Sequence, residues 1–133
     1  ALARARGARI VVAHGESPVE PVIPGTNAAA IEAGVDILAH PGHITARDAE
    51  AAGKKGVFLE LTMRKGHDRT NAHVLKTARG AGASLVVNTD CHAPGDLMDA
   101  EERRKMLEDA GAGRDEIYDI ISNSEALAGR VAI

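Results

Sequence analysis

The stretch "VVNTDCHAPGD", residues 86–96, joins the end of an apolar run to polar residues and a turn. Its aliphatic part stops at Asn88, and Asp90 and His92 follow before a Pro-Gly pair. A short aliphatic run bounded by turn-forming residues is typical of a strand buried in a sheet. Side chains two apart on an extended chain lie on the same side. The stretch therefore predicts a strand whose carboxyl end presents Asp90 and His92 together.

Similar runs recur upstream of this one. The four runs read RIVVAHGE (9–16), VDILAHPG (35–42), GVFLELT (56–62) and ASLVVNTDCH (83–92). None of them alternates strictly between apolar and polar residues, so each is predicted to be a strand buried on both faces, as in a parallel sheet.

Helical patterns separate the runs and follow the last one. They cover residues 26–34, 45–56, 70–82, 96–111 and 114–130. Thr45 stands three residues before Asp48, close to a capping box, and Gly56 or Gly53 marks the end of that helix. In residues 96–111 the predicted buried stripe consists of Leu97, Met98, Met106 and Leu107. Four β-then-α units in series predict an α/β architecture with parallel strands, in a single domain over residues 1–133.

Composition narrows the function classes. The 133 residues are 44% apolar but only 2% aromatic, so the core is predicted to be aliphatic. A net charge of −3 without a basic run disfavours a nucleic-acid partner. A single cysteine fits a reducing cytoplasm, and no apolar stretch is long enough for a membrane span. The opening "ALARARGARI" is typical of the tail of a helix, and we expect the chain to be the C-terminal part of a longer protein.

Metal-ligand residue types stand at or after the end of every predicted strand. These residues, with the cations near them, are His14, Glu16, His40, Glu60, Arg64, Lys65, His67, Asp90 and His92. The carboxyl ends of parallel strands meet at one edge of the sheet, so these side chains are expected to share one small volume. Imidazoles and carboxylates together bind Zn²⁺, Mn²⁺ or Fe²⁺. Such centres activate water and clamp phosphoryl oxygens, so the pattern favours a metal-dependent hydrolase.

Each residue also has a plainer interpretation. Asp90 alone could cap the following turn, and Glu16 alone could be an exposed loop acid. His14 either faces the site or packs beneath its loop, and His73, within a predicted helix, is expected at the surface or behind the ligands. Cys91 is predicted to point into the wall as a small apolar filler. The repetition over four strand ends favours the metal site over these separate explanations.

The motifs "VVAHGE", "DILAHPG", "FLELTMRKGH" and "NTDCHAPGD" together resemble the C-terminal portion of a PHP (polymerase and histidinol phosphatase) domain of the histidinol-phosphatase-like group. The resemblance runs from about Arg9 to the C-terminus. It implies a distorted seven-stranded (βα) TIM-like barrel, of which this chain carries about five βα units and lacks the N-terminal strands. It also implies hydrolysis of a small phosphate monoester by a metal-activated hydroxide at a centre of up to three Zn, Mn or Fe ions.

The resemblance implies a role for each matching residue. The implied metal ligands are Glu16, as the bridging carboxylate, His40, His67, Asp90 and His92. Of these, Glu16, Asp90 and His92 would also serve catalysis. The resemblance also makes Arg64 a phosphate contact. From their positions alone, Arg64 and Lys65 could hold a phosphate or lie on a solvated loop, and His43 could contact substrate from its own loop. His14 and Glu60 are expected behind the ligands.

One departure from the family pattern is large, because the sequence has no His-x-His. Its absence predicts a fragment, a chain completed by a missing N-terminal half or partner chain, or an inactive binding module. An amidohydrolase-like C–N hydrolase is the competing activity, although it too calls for a His-x-His. The expected partner is a small phosphorylated substrate, without nucleic acid or membrane.

Overall fold

The computed structural model describes residues 2–131, which form a parallel sheet with helices packed on it. The strands are β1 (Val12–His14), β2 (Ile37–Ala39), β3 (Phe58–Thr62) and β4 (Leu85–Asn88), and they lie side by side in chain order, all parallel. The helices are α1 (Leu2–Ala5), α2 (Thr26–Glu32), α3 (Ala46–Lys55), α4 (Asn71–Ala81), α5 (Ala100–Asp109) and α6 (Arg114–Gly129). Short 3-10 turns cover His67–Thr70 and Pro94–Asp96. The predicted α/β architecture is confirmed for these residues, whereas the barrel of about five βα units stays a prediction.

Local signals place the ends of the central helices where the sequence predicted them. The Thr45 side chain accepts a hydrogen bond from the backbone N–H of Asp48 and begins α3. Gly56 ends α3 in the left-handed conformation, and Gly82 ends α4 in the same way. Glycine adopts this conformation without steric cost, so each helix stops at the second of two glycines near its predicted end, after Gly53 in α3 and Gly80 in α4.

The core is aliphatic, as the composition predicted. Its largest fully buried apolar side chains include Ile31, Leu38, Leu59, Leu61 and Val86. The strands β2, β3 and β4 are buried along most of their length, but Val12 of β1 is 55% exposed. The prediction that every strand is buried on both faces was therefore wrong for β1. Among the described strands β1 lies at the edge of the sheet and has only β2 as a neighbour.

The predicted apolar stripe of the fifth helix was half wrong. Leu107 is fully buried, but Leu97 and Met98 are exposed. The helix begins only at Ala100, because Asp99 caps it by accepting from the N–H groups of Glu101 and Glu102. Leu97 and Met98 precede that cap and are outside the helical periodicity that would have turned them inward.

Side chains of α6 cover the outer edge of β4. Ser124 bonds both the N–H and the carbonyl of Val87 at 2.9 and 3.1 Å, and the Asn123 amide donates to the carbonyl of Leu85 at 2.9 Å. These backbone groups face away from β3 and would otherwise be an open template for another strand.

None of the helices within residues 2–131 has the length and apolar character that a membrane span requires.

The loops that follow β1 and β2 touch each other through two glycines. A Cβ added to Gly15 would stand 2.6 Å from Cα of Pro41, and one added to Gly42 would stand 2.0 Å from the carbonyl oxygen of Glu16. Asn27 joins the same loops, because its side chain accepts from the Glu16 N–H and donates to the Pro41 carbonyl. The two strand ends are therefore held in direct backbone contact.

Candidate metal centre

Three histidines from three successive βα units meet at the carboxyl edge of the sheet. His14 ends β1, His40 directly follows β2, and His67 opens the 3-10 turn that follows β3. The ring centroid of His40 lies 4.5 Å from that of His14 and 4.4 Å from that of His67. One ring nitrogen of each histidine lies within 4.8 Å of the other two. Three imidazoles at this spacing could hold one metal ion.

A buried carboxylate sets the orientation of the central ring. Glu60, on β3, accepts from the backbone N–H of His40 at 2.8 Å and lies 2.9 Å from Nδ1 of the same ring. Its other oxygen accepts from the Asn88 amide at 2.9 Å. Because the carboxylate accepts, Nδ1 of His40 carries the proton and Nε2 carries the lone pair.

The free nitrogen of His40 is the decisive feature of the site. Nε2 of His40 is buried, and the structure gives it no hydrogen-bond partner. A buried polar atom without a partner costs about 1–3 kcal/mol, so such atoms are rare unless something binds them. A carboxylate that orients a histidine from behind is the usual arrangement around a metal ligand.

His67 is also prepared to act as a ligand. Ser17 Oγ lies 2.7 Å from Nδ1 of His67 and holds the ring from the loop after β1. Burial lowers the pKa of His67, and the neighbouring His40 lowers it further. The ring is therefore neutral at pH 7, which is the form that coordinates metals.

Backbone strain occurs at the same edge of the sheet. Among residues 2–131, His40 and Asp90 are the only residues other than glycine with positive φ, at 31° and 50°. Each such conformation costs about 1–3 kcal/mol and persists only where the surroundings impose it. His40 directly follows β2, and Asp90 comes two residues after the end of β4, so in each case the turn after the strand redirects the side chain.

The loop after β4 forms a second group of charged side chains. Asp96 accepts from the N–H groups of His92 and Ala93 at 2.8 and 2.9 Å and from Arg64 at 3.1 Å. The guanidinium of Arg64 is also 4.0 Å from the Asp90 carboxylate. The backbone hydrogen bonds from His92 and Ala93 lower the pKa of Asp96, so it is ionised at neutral pH. With Met63, Lys65 and Thr89, Arg64 and Asp96 line a cleft of about 330 Å³.

Other predicted site residues lie apart from the three histidines. Glu16 caps α2, because its Oε1 accepts from the N–H groups of Gly25 and Asn27. His43 is exposed and packs edge-on against His73, with ring centroids 5.2 Å apart. Lys65 is exposed, and His92 is exposed with its Nδ1 on the Asp90 carbonyl at 2.7 Å.

The prediction for Cys91 was wrong. Its side chain is exposed and lies 3.1 Å from the carbonyl oxygen of Ala93, instead of filling the wall. The positive φ of Asp90 turns the chain outward directly before Cys91, so the alternation of an extended strand no longer applies there. Residues 91–95 are all exposed.

Three residues of the site were missed or ranked low from the sequence. His14 was placed behind the ligands, but its ring belongs to the three-histidine group. Ser17 and Asp96 received no role, although Ser17 holds His67 and Asp96 holds Arg64. The position of His14 at the end of the first apolar run, as for His40 in the second, was the available signal.

Glu60→Gln should lower the affinity for divalent metal by about 10–100-fold, the usual cost of removing a partner behind a ligand. The amide of glutamine brings a donor to a place where three donors already converge, so the tautomer of His40 is no longer enforced. Zn²⁺ affinity, measured by competition with a chromophoric chelator, checks this. Glu32→Gln, at an exposed surface pair with Lys55, is the matched control. Equal affinities in both variants would contradict the role of Glu60.

Two relatives of this chain are named as probable phosphatases. The chain is 33% identical over 109 residues to a probable phosphatase of Shewanella piezotolerans, an alignment that covers 67% of this chain and 44% of that protein. It is 34% identical over 121 residues to a probable phosphatase of Shewanella frigidimarina, covering 77% of this chain and 48% of that protein. The chain is a distant homologue of probable phosphatases.

A further relative is more similar in sequence but carries no assigned activity. The uncharacterized protein MJ1295 of Methanocaldococcus jannaschii is 47% identical over 112 residues, which is 84% of this chain and 51% of that protein. No family model matches the chain. The chain spans about half the length of the curated relatives it matches.

Proposed function

We propose that the chain belongs to a metal-dependent phosphatase of the PHP type that hydrolyses a small phosphate monoester. The observation that carries this proposal is the buried, unpartnered Nε2 of His40 among three imidazoles. The homologues named as probable phosphatases supply the reaction class. The seven-stranded barrel and the centre of up to three ions, with Asp90 and His92 among the ligands, are part of the same proposal. Glu16, whose Oε1 caps α2, would serve such a centre only through its other oxygen.

The donor set fits a divalent transition metal. Three neutral imidazoles suit Zn²⁺ and also Fe²⁺ or Mn²⁺, and they leave coordination positions open for a substrate oxygen. When bound, such an ion acts as a Lewis acid toward phosphoryl oxygens and lowers the pKa of water. Glu60 keeps the proton of His40 on Nδ1, and Ser17 fixes the ring of His67. The protein thus orients the ligands before the metal arrives.

In this proposal, residues at the cleft beside the loop after β4 supply the positive charge that binds a phosphate. Arg64 is about one-third exposed and lies between the carboxylates of Asp90 and Asp96 at the cleft. Its planar guanidinium can bind two oxygens of a phosphoryl group at once. In this proposal Asp90 or His92 gives a proton to the leaving oxygen, which makes the leaving group an alcohol. Lys65 and His43 are exposed and would reach only the outer part of a substrate.

Phosphate release from p-nitrophenyl phosphate tests the proposal. We expect release that stops after dialysis against a chelator and returns with Zn²⁺ or Mn²⁺. Asp90→Asn should lower the rate, whereas Asp48→Asn, in the first turn of α3, should not. Activity that survives both chelation and Asp90→Asn would refute the proposal. Cleavage of a cyclic amide with inert phosphate esters would support the C–N hydrolase instead.

A further inference from the structure

The hydrogen bond of His14 to the backbone determines which of its ring nitrogens is free. Nδ1 of His14 lies 2.8 Å from the carbonyl oxygen of Gly15. A carbonyl oxygen only accepts, so the proton of the neutral ring is on Nδ1 and the lone pair is on Nε2. The free nitrogen of His14 is therefore Nε2, on one of the rings of the three-histidine group.

A carboxylate faces this free nitrogen. Oε2 of Glu20 lies 3.2 Å from Nε2 of His14. Two lone-pair acceptors at this distance repel each other unless a proton or a metal cation lies between them. Within the described residues, Nε2 of His14 is the only polar atom at hydrogen-bond distance from the Glu20 side chain, which is 69% exposed.

On the loop between β1 and α2, Glu20 is the acid whose carboxylate remains available to bind a metal ion. Oε1 of Glu16, on the same loop, already accepts two N–H groups at the start of α2. An ionised carboxylate here balances the charge that a divalent ion would bring to three neutral imidazoles.

We propose that Glu20 is an oxygen ligand on the open side of the three-histidine centre. The inference rests on the proposed metal centre and adds a ligand to it. The carboxylate of Glu20, on an exposed loop, would supply a negative charge to the bound ion.

Metal affinity and the spectrum of bound Co²⁺ test the role of Glu20. For Glu20→Gln we expect a Zn²⁺ affinity at least about tenfold lower than that of the unaltered protein, since even partners behind a ligand cost this much. The visible absorption of bound Co²⁺ should also shift, because an oxygen ligand leaves the coordination sphere. Glu125→Gln, at an exposed position on α6, is the matched control and should change neither quantity.

The outcomes separate this inference from the proposed function. Unchanged Zn²⁺ affinity and an unchanged Co²⁺ spectrum in Glu20→Gln would overturn it and leave a surface ion pair with protonated His14. The proposed metal centre would still stand if His40→Ala abolished binding in the same assay. Absence of metal binding by the unaltered protein would overturn both.

Discussion

His40→Ala should lower the affinity for divalent metal by more than about 100-fold, beyond the usual cost of losing a partner behind a ligand. The variant removes the central imidazole, whose ring lies 4.5 and 4.4 Å from the other two. The two remaining histidines, with ring centroids 6.0 Å apart, cannot replace its nitrogen. Metal content per chain by elemental analysis, together with Zn²⁺ titration, measures the effect. Phosphate release should fall in proportion to the metal lost.

His73→Ala is the matched control for this prediction. His73 is half-buried on α4, and its ring is bonded to the carbonyl of Ile44 at 2.9 Å, outside the three-histidine group. The His73→Ala variant should retain full metal content.

His14→Ala provides a second test of the centre. Loss of the half-exposed His14 ring leaves no buried carboxylate unpaired, whereas His40→Ala leaves the buried Glu60 without its histidine partner. Normal metal content in both His40→Ala and His14→Ala would contradict the assigned centre.

Gly42→Ala should lower the free energy of unfolding by about 2–4 kcal/mol, toward the upper end for single substitutions. Gly42 has φ of +62°, which costs an L-residue about 1–2 kcal/mol. Its added Cβ would also stand 2.0 Å from the carbonyl oxygen of Glu16, and backbone on both sides prevents an easy shift. Chemical denaturation followed by circular dichroism measures the loss.

Gly80→Ala is the control for Gly42→Ala. Gly80 is inside α4 with negative φ, and an added Cβ meets no atom within 4 Å. The same chemical change should therefore stabilise the protein by about 0.5–1 kcal/mol, the difference between glycine and alanine in a helix. Metal affinity should also fall in Gly42→Ala, because Glu16 and Ser17 would move and Ser17 holds His67. Equal stability of the two variants would contradict the close contact between the loops.

Several features of the fold could be predicted because they depend on neighbours in the chain. The four apolar runs form four parallel strands, and α3 begins after Thr45 as predicted and ends at Gly56, one of its two predicted ends. The scarcity of aromatic residues predicted an aliphatic core, which the structure has. The boundary of α5 was missed because Asp99 competes with Asp96 as the start of the helix, and only packing decides between two such residues.

The candidate site depends on contacts between distant parts of the chain. The sequence could place histidines and acids at strand ends but could not rank them, since His14 and Glu16 are two residues apart and equally suitable. The structure separates them: Glu16 turns to the N-terminus of α2, while His14 joins His40 and His67. That choice depends on where α2 begins relative to the loop.

The sequence by itself determined the parallel α/β order, the aliphatic core and the edge of the sheet at which polar side chains collect, because these follow from local periodicity and from the direction of parallel strands. The tertiary structure alone decided that Glu60 lies behind His40, that Ser17 holds His67 and that Glu20 faces His14. Glu60 and His40 are on neighbouring strands, and the loop after β1 crosses to His67. Only the register of the sheet and the packing of that loop bring these atoms within hydrogen-bond distance.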